Sequence, residues 1–130
     1  MGNQVSYSEL GQINGLDSKT VEKYIVLLEQ CFVIFRLGSF SRNLRNELTN
    51  SKKIYFYDND IRNVIIADFS LAENRHDIGA LWENYIISER QKKLEYDLFG
   101  RLSCFWRTKD QNEFDYIEEG DGQIYAFEFK

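Results

Sequence analysis

The stretch NEFDYIEEGDGQIYAFEFK, residues 112 to 130, decides how the C-terminal half is built. Asp121-Gly122 divides two runs in which aromatic and polar residues alternate. Asp and Gly tolerate positive φ, so the pair suits a two-residue primed turn and predicts a β-hairpin. That register opposes Gly120 to Gln123, Ile117 to Ala126, Asp115 to Glu128 and Glu113 to Lys130. Opposed residues share a face, and side chains alternate faces along each strand. One face then carries Phe114, Tyr116, Tyr125, Phe127 and Phe129, with Glu118 near the turn. The other carries Glu113, Asp115, Glu128 and Lys130, with Ile117 and Ala126 nearer the turn. Two facing carboxylates weaken a sheet. A divalent cation between Asp115 and Glu128 removes the conflict, because Mg²⁺ takes oxygen ligands and keeps several waters. Lys130 follows Glu128 in phase and is placed to hold a water beside that cation. The plainer reading is a solvent-facing side of mixed charge. A three-residue loop, Gly120 to Gly122, would instead set Asp115 against Phe127.

Upstream of the hairpin, LSCFWRTK after Gly100 reads as a further strand. DIGALWENYIISERQKKLEYDL (77 to 98) reads as a helix with Asp77 as its N-cap. Leu81, Tyr85, Ile86 and Glu89 follow one face of it, with Trp82 adjacent. DNDIRNVIIADFSL (58 to 71) predicts a shorter helix. The order helix, strand, strand, strand marks one α/β unit, and a boundary falls near residues 59 to 76.

The N-terminal part has a different rhythm. YSELGQIN is a short amphipathic segment stopped by Gly15, and Asp17 or Ser18 can cap the next helix. There, Val21, Tyr24, Ile25 and Leu28 form one apolar stripe. FVIFRL and KKIYFYD follow as antiparallel strands around a long polar tip. Helix, turn, helix and hairpin is the layout of a winged helix-turn-helix, although only Met1 to Val5 stand where a first helix would complete it. From Arg36 to Lys53, the residues Arg36, Arg42, Arg45, Lys52 and Lys53 outweigh Glu47 and give a local charge of +4. A wing of that charge suits DNA phosphates, with Arg42 and Arg45 at its tip. A solvated loop or one contacting an acidic partner domain fits equally. Lys19, Thr20 and Lys23 open the candidate recognition helix, but Glu22 and Glu29 share it, and nothing there matches a base-reading Arg or Asn set.

The chain has 130 residues, 43% of them hydrophobic and 15% aromatic, enough for a packed core. Its net charge of -5 excludes a wholly basic nucleic-acid coat. No run approaches a membrane span, and no leader pattern is visible. Cys31 and Cys104 are isolated and His76 is the single histidine, so a zinc site is not expected and a reduced, cytoplasmic setting is. Proline is absent, against about six at average usage, which argues against a Pro-rich linker.

The blocks SRNLRNELTNSKKIYFYDNDIRNVII, IGALWENYIISE, FWRTKDQNEFDYI and YAFEFK resemble the C-terminal region of AAA-type ATPases of bacteria and archaea. In that family a P-loop domain comes first, a winged helix follows, and a PD-(D/E)xK nuclease-like domain ends the chain. The resemblance runs from about Tyr7 to Lys130. It implies an α+β chain: a winged-helix domain over 1–58, a connecting helix over 59–76, and a restriction-endonuclease-like unit over 77–130. That unit is a helix and a three-stranded sheet, incomplete at its C-terminus. It implies Asp115 and Glu128 as Mg²⁺ ligands, with Mn²⁺ as a substitute. Glu83 would assist through a water and Lys130 would position the attacking water. Glu83 also reads as an acid in the first turns of a helix, where the dipole favours it. No GxxxxGK[ST] occurs, so no ATP site is expected and the partner ATPase domain is missing from this chain. The chain stops at Lys130, where the nuclease-like fold would continue, and is expected to be a fragment. Its function is expected to be that of a DNA-binding, metal-dependent nuclease-like region; the alternative is a catalytically idle nucleic-acid-binding or protein-interaction module.

Overall fold

A computed structural model describes residue 2 and residues 4–40, 52–97, 100–107 and 112–129. The described residues form an α+β architecture of four α-helices and one six-stranded mixed sheet. The chain runs β1 (Gln4–Val5), α1 (Tyr7–Asn14), α2 (Ser18–Gln30), β2 (Ile34–Ser39), β3 (Lys52–Phe56), α3 (Asn59–Ile66), α4 (Ile78–Tyr96), β4 (Leu102–Arg107), β5 (Glu113–Gly120) and β6 (Gln123–Phe127). Strand order across the sheet is β1-β3-β2-β4-β5-β6. All pairings are antiparallel except β2 with β4, which is parallel through Gly38 opposite Cys104 and Ser39 opposite Phe105. Strands from both ends of the chain therefore share one sheet. The segment before α1 adds the edge strand β1 against β3.

Local chemistry sets the element ends. Asp17 caps α2 by accepting the Thr20 amide at 3.0 Å and the Thr20 hydroxyl at 2.6 Å. Gly15 ends α1 in the left-handed region, φ 67°. Asp77 holds the N-cap position of α4 but makes no cap bond. Its carboxylate goes instead to Arg75 Nε at 2.9 Å and Arg62 Nη1 at 2.7 Å. Those two guanidiniums, Arg75 first, hold its pKa well below the usual carboxylate range.

The sheet is covered on both faces. Phe35, Leu37, Tyr55, Phe105 and Tyr116 meet Ile87 of α4 on one face. Ile34 joins Val21 and Ile25 of α2 on the other, with Ile54 and Phe56 packed against them. Alternate residues of β2 and β3 thus serve different layers, as the pleat requires. The expected helical stripes are narrower than the sequence suggested. In α2, Val21 and Ile25 are buried, while Tyr24 and Leu28 are exposed. In α4, the buried positions are Leu81, Asn84, Ile87 and Ser88, while Tyr85 and Trp82 face outward. The helix is turned this way by a polar plug. Asn84, fully buried, accepts the Phe56 amide at 2.8 Å and donates to the Phe56 carbonyl and the Asn59 side chain, both at 2.9 Å. Those bonds fix α4 to the end of β3.

Candidate cation-binding cleft

The terminal hairpin has the expected register. Gly120 faces Gln123, Ile117 faces Ala126 and Tyr116 faces Phe127. Asp121 and Gly122 form the turn with φ 55° and 74°, both left-handed. The ladder ends at Tyr116 and Phe127, but the hairpin continues one step further through a side chain. Asp115 Oδ2 accepts the Phe129 amide at 2.8 Å. That bond ties the segment carrying Glu128 to β5.

One expected feature is corrected. Strict alternation would leave Glu113 and Tyr116 on opposite faces, but β5 is not regular. Cys104 faces Ile117 while Trp106 faces Phe114, so two steps along β4 match three along β5. This bulge re-aims the side chains beyond it. Phe114 is turned onto Trp106, ring centroids 5.6 Å apart. Glu113 reaches the layer that holds α4, where it pairs with Lys53. Lys53 is 2% exposed, and its ammonium lies 5.2 Å from the centroid of the Phe105 ring. Arg107 Nε stands 3.8 Å from the second Glu113 oxygen.

Trp106, Glu113, Phe114, Asp115, Glu128 and Phe129 line an open cleft of about 730 Å³. Asp115 and Glu128 therefore line one cavity, beyond the last paired residues of the ladder. Glu83 is not among the residues that line it and is engaged elsewhere: the Tyr55 hydroxyl donates to Glu83 Oε1 at 2.8 Å. Burial first, and then the Glu83 carboxylate, push the Tyr55 phenol well above its usual range, so it remains a donor. Gly2 lies against Glu83 as well; a Cβ on Gly2 would stand 2.6 Å from Glu83 Oε1.

Among the described residues, no group of three or more His, Cys, Asp or Glu side chains is arranged to hold a metal. Mg²⁺ usually keeps several waters and takes only one or two protein carboxylates. Lys130 lies outside the described residues, as do Arg42 and Arg45.

Of the remaining expected nucleic-acid contacts, Lys19 and Lys23 are exposed on α2, whereas the Thr20 hydroxyl is committed to Asp17. Two charges of the expected basic wing are taken up by ion pairs within the fold. Arg36 is bound to Glu29 at 2.8 and 2.6 Å and to the Tyr7 hydroxyl at 2.8 Å, and Lys53 is the buried partner of Glu113. The sequence reading missed the role of Lys53 because it counted charge without phase. In KKIYFYD, Lys53 alternates with Tyr55, a core residue, and that spacing is the signal.

Residues 1–72 match the family model of a domain of unknown function, DUF8612. That is more than half of the chain, and the chain belongs to this family. Residues 78–130 match a second model, a domain of unknown function, DUF4143, commonly found in AAA-ATPase-associated proteins. No curated protein and no solved structure matches the chain. Among the described residues, no helix is long and apolar enough to cross a membrane.

Proposed function

We propose that this chain is a C-terminal accessory region of an AAA-type ATPase, a winged helix joined to a PD-(D/E)xK nuclease-like unit that acts on DNA through a divalent cation. The observation that carries this reading is the meeting of Asp115 and Glu128 on one open cleft. Asp115 and Glu128 would hold Mg²⁺, with Glu83 reaching it through a water. When bound, such an ion lowers the pKa of a water and stabilises charge on a phosphate. The chain's own contribution is positional. The Phe129 amide fixes the Asp115 carboxylate, and the Tyr55 hydroxyl fixes Glu83. The match of residues 78–130 to a domain common in AAA-ATPase-associated proteins supports the ATPase setting.

Calorimetric titration with Mn²⁺ and Mg²⁺ tests the reading, alongside incubation with linear DNA. Wild type is expected to bind one ion at the cleft, and Asp115→Ala to lose that binding and any cleavage. If both proteins bind no ion and leave DNA intact, the site reading fails.

A second reading then stands, supported by a separate observation. α3 buries none of its residues, and Val64, Ile65, Phe69 and Leu71 are each more than 60% exposed. An apolar face of that kind suits a contact with another protein domain. In this reading the chain is a catalytically idle module docked on its ATPase.

A further inference from the structure

The two edges of the sheet differ. β1 lies at one and β6 at the other. An edge strand presents unpaired backbone N–H and C=O groups, and proteins blunt it by shortness, charge, proline or a bulge. β1 is short, only Gln4–Val5. β6 carries none of these devices. Its residues Gln123, Ile124, Tyr125, Ala126 and Phe127 include no charge and no proline. Its ladder with β5 runs without a shift from Gly120 and Gln123 to Tyr116 and Phe127. Residues 123–126 are exposed, and no described strand lies beyond them.

The turn decides which backbone groups point outward. A two-residue turn joins its flanking residues by backbone hydrogen bonds, here Gly120 and Gln123. Bonded pairs then alternate along an antiparallel ladder. Gln123, Tyr125 and Phe127 direct their N–H and C=O groups to β5, while Ile124 and Ala126 direct theirs away from it. The edge therefore presents one donor and one acceptor at Ile124 and again at Ala126. That spacing is its own complement. In antiparallel pairing about a twofold axis at Tyr125, Ile124 of one copy faces Ala126 of the other, and each such pair exchanges two hydrogen bonds. A register shifted by one residue sets Ile124 against Tyr125, whose groups are already bonded to β5. One shifted by two residues runs past the end of the strand.

The side chains agree with the axis at Tyr125. There the two tyrosines form a non-hydrogen-bonded pair, in which cross-strand side chains come closest. Tyr125 is 42% exposed, and the Arg101 guanidinium lies 5.7 Å from its ring centroid, an attraction that restrains the ring at the edge. Ile124, 40% exposed, meets Ala126 on the opposite face. No charge faces a like charge along the five residues, so nothing in the pairing repels.

We propose that β6 is a self-association edge: two copies of this chain pair antiparallel through Gln123–Phe127 about a twofold axis at Tyr125, joining their sheets into one. Such a pairing is closed and stops at a dimer. Its area is small, so the dimer is weak and depends on concentration. It needs no metal and is independent of the cation-binding reading.

Sedimentation equilibrium of the full chain without metal, from about 5 to about 500 µM, tests it. The mass is expected to rise from 15.5 kDa toward twice that value. Ala126→Pro removes an outward N–H and leaves the β5 ladder intact, because an edge strand tolerates proline where its N–H faces solvent. It is expected to keep the wild-type circular dichroism and to stay monomeric throughout. Tyr125→Glu and Tyr125→Lys each set like charges against one another at the axis, and each is expected to weaken dimerisation about tenfold. Mixed, the two place Glu opposite Lys and are expected to recover pairing to within about threefold of wild type. That recovery is read whether or not Ala126→Pro folds, and a merely structural role for Tyr125 does not produce it. A wild type that is monomeric at every concentration overturns the inference. So does a dimer that folded Ala126→Pro or Tyr125→Glu leaves intact, since another surface then holds it. A mixture that pairs no better than its parts overturns it too, as do species that grow beyond the dimer, because unlike edges do not close.

Discussion

β5 carries a buried or half-buried glutamate near each end, and the two are handled in opposite ways. Near the turn, Glu118 is 3% exposed and held by Arg90 at 2.7 Å. The Arg90 guanidinium lies 3.9 Å from the centroid of the Phe127 ring, which closes the site over. Arg101 adds a second cation at 4.0 Å. At the other end, Glu113 has a lysine partner but borders an open cleft that also holds Asp115 and Glu128. One end is a closed charge pair that fastens α4 to the hairpin. The other borders an open cleft that Asp115 and Glu128 also line. The lesson concerns acids in general: a carboxylate that is paired and covered fastens two elements together, and one that borders an open cleft keeps its contact with solvent.

The largest expected effect follows from this contrast. Glu118→Ala removes the charged hydrogen bond to Arg90 and should lower stability by about 2 kcal/mol. Asp115→Ala loses one hydrogen bond, to the Phe129 amide, and should cost about 1 kcal/mol while abolishing cation binding. Urea unfolding of both variants checks the ratio. Equal losses would break the comparison, because the open end would then be as structural as the closed one.

A smaller effect couples the ends. Gly122 has φ 74°, where a Cβ is strained, so Gly122→Ala should cost about 1–2 kcal/mol. The turn sets the register of β5 and β6, beyond whose paired residues Asp115 and Glu128 line one cleft. The same variant should therefore weaken Mn²⁺ binding severalfold, read by the same calorimetry. Unchanged affinity would show that the Asp115–Phe129 bond alone holds the open end.

The smallest effect is one of pH. Cys104 faces Ile117 beside the closed end, and burial, aided by Glu119, pushes its thiol from 9.0 up to about 11. Between those values the unfolded chain has lost the thiol proton and the folded chain has not. Stability therefore falls as pH rises through that window. Urea midpoints measured from pH 8 to 11 should decline less steeply in Cys104→Ser than in wild type.

The sequence revealed those features that rest on local rules. Asp121-Gly122 specified the turn, and with it the register and the meeting of Asp115 with Glu128. Asp17 and Gly15 marked helix ends because capping is a matter of neighbours. The bulge in β5 was illegible, since nothing in EFDYIEE distinguishes a regular strand from one with an extra residue. The fates of Glu113, Phe114 and Lys53 were lost with it. Asn84 was missed for a related reason: apolar periodicity cannot find a helix face whose central buried residue is polar. Asp77 read as a cap by position, but two arginines compete for its carboxylate, and one of them comes from α3.

The parallel contact between β2 and β4 has a kinetic consequence. It rests on two residue pairs, Gly38 with Cys104 and Ser39 with Phe105, that lie far apart along the chain. β2 with β3, and β4 with β5 and β6, are joined by partners much nearer in sequence. Distant pairings repay their loop-closure entropy last. The two antiparallel parts of the sheet should then form early and independently, and their joining along β2 and β4 should limit the rate at which the chain folds.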